Sequence, residues 1–159
     1  MAVISWGKPK VEIIKTPDDE NSDPTTGWAE LSPIKEDSAS LDVTEGELIE
    51  ATEEGGAVVD ARRKANKYKF SLDIFVKKSS TGTSTRPIAD ENGLISDNYS
   101  VRLTPQDDEC EGFLLRKTNV TVSERWTAAE GKMLRYTFDG IKPDTTNGII
   151  CEPYIAKKS

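Results

Sequence analysis

No histidine occurs among the 159 residues. That absence removes Ser-His and Cys-His nucleophile pairs, histidine zinc sites and the commonest general base at neutral pH. Cysteine is nearly as scarce. Cys110 and Cys151 lie far apart, without the close spacing of a zinc site, and read as reduced structural thiols. Long apolar runs are missing too: no segment approaches the ~20 apolar residues of a membrane helix. The opening MAVISWGKPKVEIIK lacks the basic region and apolar stretch of a secretory signal. The expectation is a cytoplasmic protein with no membrane partner. Positive charge is in deficit, with 21 Lys and Arg against 28 Asp and Glu and a net charge of −7, which argues against general affinity for nucleic-acid phosphates. Gly55-Gly56 is no phosphate loop, because no Lys-Ser or Lys-Thr follows at the required spacing. Carboxylate pairs are the one catalytic device left, and the sequence does not say which of the acidic residues meet across a cleft. The reading is a non-enzyme without cofactor.

What is present is extended chain. The segment 41–78 reads as two extended stretches joined by an acidic, glycine-containing loop. In its second half Tyr68, Phe70, Leu72, Ile74 and Val76 alternate with Lys67, Lys69, Ser71, Asp73 and Lys77, and only Phe75 breaks the polar side. Such a strand covers a core with one face and meets water, or a wet partner surface, with the other. At the tip of the first half, Glu53-Glu54-Gly55-Gly56 supplies two residues tolerant of positive φ, as a turn or bulge requires.

Further strands are expected at 8–15, around Leu41 and Val43, at 57–59, at 99–103 ended by Pro105, at 117–126, at 134–138 and at 149–155. The segment 86–98 has room for one short helix, although Asn92-Gly93 favours a turn. Residues 127–131 have the Thr-to-Glu spacing of a capping box but read better as a hairpin connection. The count is seven to nine strands with one or two short helices in a single domain, a mainly β antiparallel sandwich or barrel. With 35% hydrophobic and 31% charged residues, the core is expected to be thin.

Two binding patterns need weighing. Asp19, Asn21, Asp23 and Glu30 have calcium-loop spacing, but Pro24 stands where the sharp turn needs glycine, so a solvated acidic loop is the better reading. Trp6, Trp28 and Trp126 would make a sugar-stacking platform if they shared a surface; their separation favours burial in core or interface.

Taken together, these segments resemble the tail tube proteins of phages, prophages and phage-tail-like particles. The resemblance rests on Thr44-Glu45-Gly46, the Glu53-Glu54-Gly55-Gly56 tip, the 67–76 strand, Tyr99-Ser100-Val101-Arg102-Leu103-Thr104-Pro105, and Arg135-Tyr136-Thr137-Phe138 ahead of Lys142-Pro143. It implies a structural virion protein whose copies form a homo-oligomeric ring, expected to be a hexamer. Rings stack with other tail proteins into a tube, and DNA is only passing cargo. Assembly would occur in the cytoplasm of the bacterial host, ending in a virion tail or tail-like particle. It assigns inter-ring contacts to a hairpin that includes Glu53, Glu54, Gly55, Gly56, Ala57, Arg62 and Arg63. The polar side of the 67–76 strand, with Lys67, Lys69, Asp73 and Lys77, would face a lumen or an interface. The alternative from the residues alone is a monomeric β-sandwich binding module for a carbohydrate or protein ligand.

Overall fold

The computed structural model describes residues 6–17, 26–76, 79–83, 86–144 and 148–156. Ten strands follow in chain order: β1 (Lys10–Lys15), β2 (Ala29–Leu31), β3 (Ser40–Thr44), β4 (Leu48–Thr52), β5 (Val58–Arg63), β6 (Lys67–Phe75), β7 (Tyr99–Thr104), β8 (Gly112–Thr127), β9 (Gly131–Gly140) and β10 (Cys151–Tyr154). The protein is mainly β, as its alternating segments predict. No helix forms among the described residues, which corrects the expectation for 86–98. Asn92 and Gly93 there both adopt positive φ, 53° and 83°, the backbone of a tight two-residue hairpin turn. Glu91 and Leu94 close it with reciprocal N–H to C=O bonds of 3.0 and 2.9 Å.

Eight strands form one antiparallel sheet in the order β2-β1-β7-β8-β9-β6-β3, with β10 joined to β8, while β4 and β5 pair only with each other. β8 is the pivot. Its first residues lie between β7 and β10, with Phe113 opposite both Leu103 and Pro153, and its residues from Thr118 onward pair with β9. The sheet therefore folds into two layers that share β8. Leu115 points inward in the first layer, whereas Thr118, Val120 and Val122 point inward in the second. The inward set thus changes from odd to even positions across Arg116 and Lys117, where the pairing with β7 also slips register. A one-residue slip of this kind swaps the faces of a strand.

Val11, Ile13, Leu31, Val101 and Leu115 meet Phe70, Leu72, Ile74, Val120, Leu134, Tyr136 and Phe138 in a single core. Contact between layers is direct: the Phe70 ring meets the Phe113 ring edge-on at 5.1 Å, a favoured aromatic geometry. The buried Tyr136 hydroxyl donates to the Ile88 carbonyl at 3.3 Å, so the 86–95 segment lids one end of this core. Burial of the Tyr136 ring pushes its phenol pKa up.

Candidate assembly surface

The β4–β5 hairpin is a free-standing arm. Every residue from 47 to 65 is exposed, on both faces of the two-stranded ribbon. The arm is extended, with Leu48 opposite Arg63, Ile49 opposite Arg62 and Glu50 opposite Ala61, and a bulge near Ala51 and Thr52 leaves Val59 without a partner residue. At about 3.3 Å per residue, five paired residues carry the tip roughly 16 Å along the ribbon. The tip closes through Glu53 N–H to the Ala57 carbonyl at 2.9 Å and Gly56 N–H to the Glu53 carbonyl at 3.0 Å. Gly55 and Gly56 take φ of 104° and 95°, which side chains resist.

The base of the arm is built differently. Gly46 and Lys64 pass so close that a Cβ on Gly46 would lie 1.6 Å from the Lys64 carbonyl oxygen. Asn66 Oδ1 accepts from Gly46 N–H at 3.0 Å, Lys64 N–H donates to the Glu47 carbonyl at 3.0 Å, and Arg63 Nη1 donates to the Gly46 carbonyl at 3.2 Å. These bonds fix how the arm leaves β3 and β6. The sequence leads to an acidic, glycine-containing loop joining two extended stretches, and the structure makes most of that region a two-stranded ribbon with apolar side chains. Leu48, Ile49, Val58 and Val59 are 42, 51, 51 and 62% exposed along an ordered ribbon. In sequence these apolar residues look like core residues; a ribbon with no layer packed on it leaves them outside.

The outer face of β6 is less open than its alternation suggests. Lys67 and Lys69 are exposed, but Ser71 and Asp73 are buried. Directly across the ladder, Arg135 donates to Asp73 through Nε at 2.8 Å and Nη2 at 3.1 Å. Ser38 Oγ accepts from the Asp73 amide at 3.2 Å, so residues beyond β3 continue along the same strand edge. Register sets Asp42, Lys69, Asp139 and Asn119 in one row and Ser40, Ser71, Thr137 and Thr121 in the next. Opposite charges alternate across this face, which accounts for its lack of a strongly basic stripe. Lys77 lies outside the described residues, as do Asp19, Asn21 and Asp23 of the calcium-like spacing; Glu30 sits in β2 opposite Glu12.

Two of the three tryptophans are not in the core. Trp6 is 73% and Trp126 69% exposed. Trp28 is half-buried under the Arg102 guanidinium, 4.1 Å from its ring centre, and Arg102 is also held by both oxygens of Glu12. Trp6 lines an open groove of about 1050 Å³ with Lys8, Glu30, Gln106, Asp107 and Asp108. Trp126 belongs to the inward-facing set of β8, but it lies at the end of the strand, past Val122, where the core ends. Alternation alone does not reveal where the opposing layer stops.

Cys110 and Cys151 form no disulfide among the described residues, and burial pushes the pKa of each up, disfavouring the reactive thiolate. Asp90 moves the other way. The Gly93 N–H, at 2.8 Å from Oδ2, and then Arg86, at 2.6 Å from Oδ1, hold its carboxyl below the ordinary value. This pair braces the Asn92-Gly93 turn, and Arg86 also contacts Glu124. Among the described residues no three Cys, Asp or Glu side chains gather as a metal site, and no helix is long and apolar enough to cross a membrane.

The fold and its surface together define an antiparallel β-sandwich carrying a free-standing hairpin arm. No known protein family matches the chain, and no curated protein sequence matches it.

Proposed function

We propose that the chain is a structural subunit of a phage tail tube or phage-tail-like tube, self-assembling into six-membered rings that stack around a DNA channel. The observation that carries this reading is the β4–β5 arm, whose apolar residues are exposed and whose backbone edges are unpaired. A monomer gains nothing from holding such an arm in solvent, whereas a neighbouring copy would cover it. The outer strands β2 and β3 offer further edges for ring closure. The alternating charges on the outer face of β6, β9 and β8 suit a wall past which DNA slides without sticking, since tight binding needs clustered cations. In this reading the protein has no catalytic role, it assembles in the bacterial cytoplasm, and its partners are further copies and other tail proteins.

Negative-stain electron microscopy of concentrated protein, with a light-scattering mass on the same sample, tests the proposal. Rings or tubes with an open centre are expected. Deleting residues 53–57 abolishes stacking while the sandwich stays folded; unchanged tubes from that deletion would refute the role given to the arm.

A second reading has its own observation. Exposed Trp6, flanked by Gln106, Asp107 and Asp108 in the groove, is the chemistry of a carbohydrate-binding surface: an apolar ring beside hydrogen-bonding groups. A monomer whose tryptophan emission shifts on glycan addition, with the shift lost in Trp6→Ala, would favour this module over the tube.

A further inference from the structure

The charges on the arm are sorted by position. Glu50, Glu53, Glu54 and Asp60 lie toward the tip, and Arg62 and Arg63 lie at the base. Among the described residues none of the six has an ion-pair partner, whereas Lys64, next to them, is already paired with Glu47 at 3.5 Å. Exposed apolar residues lie along the same ribbon, with Ile49 opposite Arg62 at the base and Val58 and Val59 in the half nearer the tip. The arm is therefore an electrically polar ribbon with exposed apolar residues along its length.

We propose that two copies of the chain pair through their arms, laid side by side in opposite directions, with the acidic tip of each against the Arg62 and Arg63 base of the other. The reading of the chain as a tube subunit is not needed for this. A polyanion is repelled by the tip, and a basic peptide leaves both arginines unmatched. A reversed copy of the same ribbon satisfies both ends at once, and its two-fold symmetry makes the match twice over. Pairing of the outer ribbon edges also uses backbone groups that water alone now covers. The arm is short, so the contact belongs with small, weak interfaces and the dimer depends on concentration. In a chain that stacks through the same arm, such a dimer holds subunits out of the polymer.

Sedimentation of the full chain, up to millimolar concentration, reads the outcome. A discrete dimer is expected in about 0.1 M salt, with its dissociation constant rising at least about tenfold in about 1 M salt, where the Debye length falls from roughly 10 to roughly 3 Å. Glu53→Lys with Glu54→Lys gives a monomer, and so does Arg62→Glu with Arg63→Glu; mixing the two proteins restores a dimer containing one of each. The substitutions lie on exposed positions, and an unchanged melting temperature verifies folding. A wild-type monomer under all conditions overturns the proposal, as does association indifferent to both charge reversals. Micrographs of the same samples keep the two ideas apart: tubes from a protein without salt-sensitive dimers sink the arm pairing alone, and dimers that never yield tubes sink the tube alone.

Discussion

Replacing Gly46 with alanine isolates what the arm contributes, because the obstruction it creates is entirely backbone. The new Cβ would lie 1.6 Å from the Lys64 carbonyl oxygen, 2.4 Å from the Lys64 carbonyl carbon and 2.9 Å from the Ala65 carbonyl oxygen. No side-chain rotation relieves this, so the two legs have to separate by roughly 2 Å to reach ordinary contact. That movement breaks the Lys64-to-Glu47 and Gly46-to-Asn66 hydrogen bonds, both 3.0 Å. At about 1 kcal/mol each, the loss is on the order of 2 kcal/mol. An isolated two-stranded hairpin has little more stability than that to lose. The core is untouched, since no residue from 47 to 65 is buried. Hydrogen exchange followed by mass spectrometry is the assay. The expected result is roughly thirtyfold faster exchange of the β4 and β5 amides, from about 1.4 kcal/mol per factor of ten, with the core amides and the main melting transition almost unchanged. Native-like protection of the arm in Gly46→Ala would refute the argument. So would collapse of the whole sandwich, which would mean that the arm and core fold as one.

Three further outcomes follow from the packing and the charges. Phe138→Ala empties a site that is 0% exposed, between Phe70 and Tyr136; chemical denaturation should register a loss of about 3–5 kcal/mol, and a loss below about 1 kcal/mol would mean that the core readily collapses around the gap. Asp90→Asn tests the brace on the Asn92-Gly93 turn. Because the folded-state pKa of Asp90 is lowered, its contribution is complete above the unfolded value near 3.9 and disappears as pH falls through the folded value. The melting-temperature gap between wild type and variant should therefore be full at neutral pH and close in strong acid; a gap independent of pH counts against the brace. Acrylamide should quench emission from Trp6 and Trp126 readily and from Trp28 poorly, and uniformly protected emission would contradict the exposure of the first two.

Much of the fold is legible in the sequence wherever one face of a strand is apolar. Alternation located β6 and β9 closely, and Pro105 marks the end of β7 at Thr104. The glycines of the arm tip sit where two residues tolerant of positive φ were needed. β8 is harder, because its inward positions change parity between Leu115 and Thr118, so the sequence shows a strand only over 117–126 where the structure has sixteen residues, Gly112–Thr127. The helix expected at 86–98 was overruled by two positive-φ residues and the Asp90 bond to Gly93. What local pattern does not carry is which strands become neighbours. β6 lies between β3 and β9, so Asp73, which reads as a solvated carboxylate, is buried against an arginine 62 residues away. For the same reason the apolar residues of β4 and β5 gave no sign of being left outside. Their pattern is that of a strand, and only the topology denies them a layer to cover.

The passage of β8 through both layers has a mechanical consequence. A sandwich of two separate sheets can slide or part at its interface, where only side chains hold it. Here one continuous backbone is hydrogen-bonded into each leaf, so opening the sandwich means stripping a ladder. A pull on the arm enters through β3 and β6, crosses β9 and reaches β8, and from there it spreads to β7 and β1 without leaving the hydrogen-bonded network. The molecule behaves as a brick with a handle: the handle yields first, and the brick keeps its shape until it fails all at once.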